Sequence, residues 1–451
     1  MIDLKNIQTF YFVGIGGIGM SALARYCKSL GKTVYGYDKT PTELTETLIA
    51  EGLPITFLDV ISEIPETVVN NKNTLVVYTP AIPKANVILN YFISEGFSVV
   101  KRAALLGSIT KHSRCLAVAG THGKTTTSAI LGHLLATCDM PVTAFLGGIA
   151  ENYNSNFISN GTEITVVEAD EFDRSFLQLS PDIACITSMD ADHLDIYGDV
   201  DEIGSAFREF AHLVKNSNSL LIKKGLPLEG STVAIASEAD YQAKNIRIED
   251  GGYCFDLKTP SLTINDLTFY LPGHHNLFNA VTAMGMALLV GAPVEQLPKA
   301  LASFKGVKRR FSYKIKQDDL VLIDDYAHHP SEIDALYQAV SEMYPEDQKL
   351  IVFQPHLFSR TRDFADDFAK SLAKFDEILL LDIYPARELP LDGVTSQWLL
   401  EKIPSENVQL LTKEELVSHM SKSGCRIQLM VGAGDIGAEV SEVTKKLSHA
   451  S

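Results

Sequence analysis

The sequence predicts an α/β protein of three successive domains, each a mainly parallel sheet covered by helices. Three observations carry this. Short apolar runs alternate with amphipathic stretches, the pattern of βαβ units. That pattern starts afresh twice, dividing the chain into 1–110, 111–311 and 312–451. A chain of 451 residues also exceeds what a single hydrophobic core serves.

The first domain opens with an apolar strand, Phe10 to Val13. It leads into Gly14-Ile15-Gly16-Gly17-Ile18-Gly19 and a helix-like stretch from Ser21 to Leu30. A second strand, Thr33 to Tyr37, ends at Asp38, and further strands are expected over Leu75 to Tyr78 and Ser98 to Val100. A G-x-G-x-x-G loop between strand and helix, with an acid some twenty residues on, is the pattern of a Rossmann-like dinucleotide site such as one for NAD. The same backbone cradle accepts any diphosphate. Beside a separate ATP loop further along, a UDP-type ligand fits as well as NAD.

The second domain restarts with a strand, Cys115 to Ala119, running into Gly120-Thr121-His122-Gly123-Lys124-Thr125-Thr126-Thr127 and a helix. Such a loop turns backbone N–H groups and the positive end of the helix toward phosphates. Lys124 would neutralise the β- and γ-phosphates, and the Thr125 hydroxyl can ligate Mg²⁺. The strict eight-residue pattern wants glycine where this chain has Val118. The strand before and helix after keep the P-loop ATPase-type reading.

Two further strands, Ile164 to Val167 and Ile183 to Thr187, each run into acids. The first is followed by Glu168-Ala169-Asp170-Glu171-Phe172-Asp173. Mg²⁺ is hard and takes oxygen ligands, and a carboxylate at a strand end beside a phosphate loop is placed to supply one. Glu168 is the preferred ligand, and Asp173 reads as a solvated acid. The second is followed by Asp190-Ala191-Asp192-His193-Leu194-Asp195, where His193 offers a second metal ligand or a hydrogen bond to a substrate oxygen.

Short alternating segments over 232–270 suggest a small β extension, and a helix is expected from Asn276 to Leu289. Within Pro272-Gly273-His274-His275-Asn276-Leu277-Phe278-Asn279, Asn276 and Asn279 are three apart and share a helical face. Side-chain amides there can read an adenine edge, or Asn276 can simply cap the helix. Lys308-Arg309-Arg310 stands at the second boundary. It is either a solvated charge run or the source of an arginine that grips phosphate when domains close.

In the third domain, strands Leu320 to Ile323, Leu350 to Phe353, Ile378 to Leu381 and Ile427 to Val431 alternate with helices such as Pro330 to Ser341. Two strand-end segments, Asp324-Asp325-Tyr326-Ala327-His328-His329-Pro330 and Gln354-Pro355-His356-Leu357-Phe358-Ser359-Arg360-Thr361-Arg362, carry histidine and arginine. Arginine is the preferred clamp for a carboxylate-bearing substrate.

Composition excludes several classes. Hydrophobic residues make up 46% and charged residues 21%, an ordinary globular mix. The balance of 39 basic to 56 acidic side chains gives −17, against general affinity for nucleic acid or an anionic membrane. Six scattered cysteines without a Cys-x-x-Cys pair fit reduced thiols in the cytoplasm. Neither a signal peptide nor a membrane-spanning run is evident.

Taken together and in this order, nine segments resemble the Mur ligase family. They are Gly14–Ser21, Gly120–Thr127, Glu168–Leu177, Asp192–Gly198, Pro272–Asn279, Gly306–Phe311, Asp325–Glu332, Gln354–Arg362 and Gly432-Ala433-Gly434-Asp435. The resemblance implies an N-terminal Rossmann-like domain for a UDP-sugar, a central ATPase, and a C-terminal Rossmann-like domain for an incoming amino acid. It implies an ATP-dependent, ADP-forming ligase of peptidoglycan precursor synthesis, joining L-alanine to the lactyl carboxylate of UDP-N-acetylmuramate through an acyl phosphate. The cofactor would be Mg²⁺, with Mn²⁺ as a substitute, and the protein a monomer or weak homodimer.

Residue by residue, Gly14, Ile15, Gly16, Gly17, Ile18, Gly19 and Asp38 would hold the UDP-sugar. Gly120, Thr121, His122, Gly123, Lys124, Thr125 and Thr126 would hold ATP, with His275, Asn276, Asn279 and Arg310. Thr125, Glu168 and His193 would surround the metal, and Tyr326, His328 and Arg360 the alanine. Lys124, Glu168, His193 and Arg310 form the catalytic group. Two departures stand out. Leu357 occupies a position where the family often has a basic residue. Arg208, with no lysine before Lys215, leaves no candidate for the modified lysine of wider relatives. Three alternatives remain at this point: a recycling ligase that attaches a whole peptide to the same sugar, an NAD-dependent oxidoreductase using the first loop, and a non-catalytic nucleotide-binding regulator, which would bind ATP without substrate-dependent phosphate release.

Overall fold

The computed structural model describes residues 4, 6–71, 73–189, 200–386 and 388–448. Three sheets form three α/β domains, as the alternating pattern predicts. The first contains β1 (Thr9–Val13), β2 (Thr33–Tyr37), β3 (Ile55–Thr56), β4 (Thr74–Tyr78) and β5 (Ser98–Lys101), in the order β3-β2-β1-β4-β5. All its pairings are parallel. Every residue of β1 is buried, as expected of a strand covered on both faces. Strand order reverses at β1, so the loop that follows it lies where open sheets bind ligands.

The central sheet has ten strands: β6 (Arg114–Ala119), β7 (Val142–Ala150), β8 (Ser155–Ser159), β9 (Ile164–Glu168), β10 (Ile183–Ile186), β11 (Leu220–Lys223), β12 (Ser231–Ile235), β13 (Tyr241–Glu249), β14 (Gly252–Lys258) and β15 (Thr263–Phe269). Their order is β15-β14-β13-β12-β11-β10-β6-β9-β7-β8, with the expected small β extension at one edge. The site depends on the middle. β6 lies between β9 and β10, pairing Val118 with Glu168 and Ala119 with Ile186. The ends of three parallel strands thus converge around residues 119–123.

The third sheet contains β16 (Ser312–Lys316), β17 (Val321–Asp325), β18 (Lys349–Phe353), β19 (Glu377–Leu380), β20 (Val408–Leu410) and β21 (Ile427–Val431). Its order is β16-β17-β21-β18-β19-β20, parallel except for the β16–β17 pair. β21 therefore stands between the two strands that carry the histidine- and arginine-bearing segments.

The chain forms two compact units. One is Met1–Ile246 with Phe255–Thr268 and Phe278–Phe304; the other is Arg247–Cys254 with Phe269–Leu277 and Lys305–Ser451. Within the first, the helix Ile18–Ser29 ties the N-terminal sheet to the central one. Asn156 Nδ2 donates to Ser21 Oγ at 2.9 Å, and the rings of Tyr26 and Phe145 meet edge-on at 5.4 Å. The six cysteines are buried free thiols. Among the described residues, no helix is long and apolar enough to cross a membrane.

Candidate active site

The first glycine loop is folded onto the end of β2. Gly14 has φ +88°, a conformation open to glycine, and both its N–H and that of Ile15 donate to Tyr37 O, at 2.7 and 3.0 Å. The Gly16 N–H donates to Asp38 Oδ2 at 2.7 Å, so the Asp38 carboxylate braces the loop backbone. Gly17 N–H donates to Gly14 O at 3.2 Å. The helix Ile18–Ser29 starts here, and its positive end and first amides face whatever the loop holds. A Cβ at Gly16 would stand 2.7 Å from Thr45 Cγ2, and one at Gly19 would overlap the Arg102 guanidinium. Arg102 also reaches Asp170 at 3.4 Å, joining the first loop to the acids of the central domain.

The second loop leaves β6 and enters the helix Lys124–Thr137. Gly120 and Gly123 have φ of +131° and +82°. The loop is pinned by the end of β10. Ser188 Oγ accepts the His122 N–H at 2.8 Å and meets Thr121 Oγ1 at 2.8 Å, while the Thr187 hydroxyl donates to Ala119 O at 3.1 Å. Thr125 and Thr126 are buried in the first helical turn. Lys124 Nζ donates to Gly120 O at 2.7 Å and to both oxygens of Glu171 at 2.9 Å.

Glu168, at the end of β9, gathers three donors. Its carboxylate accepts from Thr125 Oγ1 at 3.2 Å, Ser128 Oγ at 3.1 Å and the Gly147 N–H at 2.6 Å. A carboxylate and a hydroxyl side by side at a phosphate-type loop form the oxygen donor set that a hard divalent cation takes, so these residues fit Mg²⁺. His193, the other expected ligand, lies outside the described residues.

The expected adenine group falls on the helix His274–Val290. Asn279 is buried and stands against the second loop: a Cβ at Gly123 would lie 2.5 Å from Asn279 Oδ1. Asn276, also buried, donates from Nδ2 to Pro272 O at 2.6 Å. The helix begins two residues earlier than expected, so Asn276 sits inside the first turn and not at the cap. His275, Asn276 and Arg310 belong to one compact unit, Asn279 and the loop 120–127 to the other. Arg310 is half-buried. Its neighbour Arg309 is held by Asp324 at 3.4 Å and lies 5.2 Å above the Tyr326 ring.

The expected alanine group is contiguous. The rings of Tyr326 and His328 meet at 5.3 Å, those of His328 and His356 at 6.0 Å, and Arg360 Nη1 approaches His356 Nδ1 at 3.4 Å. Tyr384 stacks on His356 at 5.7 Å. His328 N–H donates to Glu332 Oε2 at 2.9 Å, part of the capping of the helix Pro330–Met343. Leu357 takes φ +70° and donates its N–H to Tyr384 O at 2.9 Å, turning the chain into the short helix that presents Arg360.

Among the residues in these contacts that the sequence reading gave no role are Arg102, Glu171, Ser188, His356 and Tyr384. Glu171 and His356 lay inside segments already singled out. The others carried no local signal.

Three family models match consecutive parts of the chain. Residues 9–114 match "Mur ligase family, catalytic domain", 118–287 "Mur ligase middle domain" and 309–435 "Mur ligase, glutamate ligase domain". The chain is similar to the UDP-N-acetylmuramate–L-alanine ligase of Christiangramia forsetii, at 60% identity over 100% of both chains. It is 58% identical to the ligase of the same name from Flavobacterium psychrophilum, over 99% of this chain and 100% of the other. A solved UDP-N-acetylmuramate–alanine ligase from Thermotoga maritima superposes with a TM-score of 0.83 at 28% identity, covering 98% of this chain and 100% of that one.

Proposed function

The chain belongs to the Mur ligase family, and from that membership we propose how its residues divide the work of an ATP-dependent UDP-N-acetylmuramate–L-alanine ligase. The observation that carries the activity is the 60% identity to such a ligase along the whole chain. The lactyl carboxylate of UDP-N-acetylmuramate attacks the γ-phosphorus of ATP, and ADP leaves. The amine of L-alanine then adds to the acyl phosphate, and inorganic phosphate departs from the tetrahedral intermediate with the amide formed.

Each step sets a task for named side chains. Two anions must meet in the first step, so Lys124 holds the β- and γ-phosphates, and the loop Gly120–Thr126 supplies backbone N–H groups. Thr125 and Glu168 would hold Mg²⁺, and His193 is the further ligand that the family resemblance assigns. Bound there, the ion would supply charge neutralisation for the phosphates. The loop Gly14–Gly19 holds the UDP diphosphate, its shape kept by Asp38. His275, Asn276, Asn279 and Arg310 complete the nucleotide group. Tyr326, His328 and Arg360 receive L-alanine, the guanidinium taking its carboxylate. The enzyme works in the cytoplasm as a monomer or weak homodimer, without nucleic acid or membrane. The domain limits are 1–110, 111–311 and 312–451.

The test is phosphate release from Mg·ATP with UDP-N-acetylmuramate and L-alanine, together and singly. Release that needs both, with a product heavier by one alanine residue, is expected. Release indifferent to both would overturn the assignment, and release with a peptide in place of alanine would point to the recycling ligase.

A further inference from the structure

Three acids at and just after the end of β9 have three kinds of partner. Glu168 faces two hydroxyls and an amide, Asp170 faces Arg102, and Glu171 faces Lys124. The last pair is the most enclosed: the Glu171 side chain is 4% exposed and that of Lys124 17%. Both carboxylate oxygens lie 2.9 Å from Nζ, and Gly120 O lies at 2.7 Å. An ammonium has three hydrogens to give. Two carboxylate oxygens and the Gly120 carbonyl engage them, with Thr121 O more distant at 3.5 Å, so phosphates reach Lys124 by displacing a partner. The backbone carbonyl of Gly120 is fixed by the loop. The Glu171 carboxylate is a side-chain partner, joined to a backbone whose own carbonyl accepts the Arg174 N–H at 2.9 Å, and is the group that phosphate oxygens can replace.

We propose that Glu171 is a positioning residue for the ligase reaction, the resident counter-anion of the phosphate-binding lysine. It parks the Lys124 ammonium in the nucleotide-free enzyme, yields it to incoming phosphates, and reclaims it as ADP departs. The need for such a group is physical. A largely buried ammonium without a partner is costly, so the empty loop requires an anion of its own. Once polyphosphate occupies the loop, a carboxylate at the same point repels it, and that repulsion opposes tight retention of product. Glu171 thus sets nucleotide affinity against turnover. Glu168 is differently engaged and does not share the task.

The inference rests on Lys124 being the phosphate ligand of the reading above, and the test separates the two. ADP binding is measured by titration calorimetry with Mg²⁺ for the full-length enzyme and its variants, alongside melting temperature and steady-state rates. In Glu171→Gln the repulsion is gone, and ADP binds about tenfold more tightly. Because ADP then leaves slowly, kcat and the KM for ATP fall together, whereas a merely structural lesion lowers the active fraction without lowering KM. Glu171→Ala shows the same tightening, so the folding of neither variant decides alone. Glu171→Asp restores the charge and brings ADP affinity back toward wild type. Unchanged or weaker ADP binding in folded Glu171→Gln and Glu171→Ala overturns the inference and leaves the ligase assignment standing. A wild-type enzyme that binds neither ATP nor ADP overturns both.

Discussion

Asn279 stands against the backbone of Gly123, so close that a Cβ on the glycine would lie 2.5 Å from the asparagine Oδ1. Gly123 also holds φ +82°, where an L-residue costs about 1–2 kcal/mol. Gly123→Ala therefore meets two penalties at the first helical turn of the nucleotide loop. The expected result is a KM for ATP raised about tenfold or more, since 1.4 kcal/mol is a factor of ten. Steady-state kinetics with a circular dichroism control check this. An unchanged KM would mean that the loop and Asn279 do not act as one surface.

Glu168 collects the Thr125 and Ser128 hydroxyls and the Gly147 N–H. In Glu168→Gln the side chain keeps its shape but loses its charge, and the amide cannot accept at both ends. If the carboxylate ligates the metal, the Mg²⁺ concentration for half-maximal activity rises on the order of 10–100-fold, and excess Mg²⁺ recovers part of the rate. A titration of activity against Mg²⁺ at fixed Mg·ATP measures it. A rate loss that Mg²⁺ does not touch would remove Glu168 from the metal site.

What the sequence revealed and what it hid have physical causes. Strands such as β1, β6 and β9 are parallel and covered on both faces, so they read as unbroken apolar runs. β7 escaped because Gly147 and Gly148 interrupt its run. The interruption has a reason: a Cβ at position 147 would collide with the Glu168 carboxylate, which takes the Gly147 N–H. The glycine loops were legible because phosphate cradles are local. The partners that set those loops were not. Lys124 meets Glu171 across 47 positions and His122 meets Ser188 across 66. Those meetings exist only because β6 is laid between β9 and β10, an order no local pattern encodes.

Arg360 is the cation of the expected alanine pocket, aligned by His356 at 3.4 Å. Losing a charge-assisted contact to a carboxylate costs about 2–5 kcal/mol. Arg360→Ala is therefore expected to raise the KM for L-alanine about thirtyfold or more, with the KM values for ATP and UDP-N-acetylmuramate within about twofold of wild type. Arg360→Lys recovers only part, since a point charge does not reproduce the planar fork. An equal rise in all three KM values would place Arg360 in the scaffold.

His133 gives the helix behind the nucleotide loop a dependence on pH. It is 4% exposed on the helix Lys124–Thr137, its Nε2 3.1 Å from Ala300 O and 2.9 Å from Ser303 Oγ, its Nδ1 3.0 Å from the Tyr153 hydroxyl. A carbonyl only accepts, so Nε2 carries the proton and Nδ1 receives the Tyr153 O–H. Burial pushes the imidazole down to about 4 from an ordinary value near 6.5, the Ala300 carbonyl opposing this in part. Between those values the unfolded chain binds the proton and the native protein does not. Stability therefore rises with pH from about 4 to 6.5 and is lost as the solution is acidified through that window. A shift of this size corresponds to about 3 kcal/mol at most. Protonation would also turn Nδ1 into a donor facing a hydroxyl that already donates. His133→Gln removes the titrating group. It is expected to lower stability at pH 7, where the neutral ring's contacts are lost, and to flatten the fall between pH 6.5 and 4. Urea unfolding of both proteins at half-unit pH steps measures the difference. Equal slopes through the window would show that some other group carries the acid sensitivity.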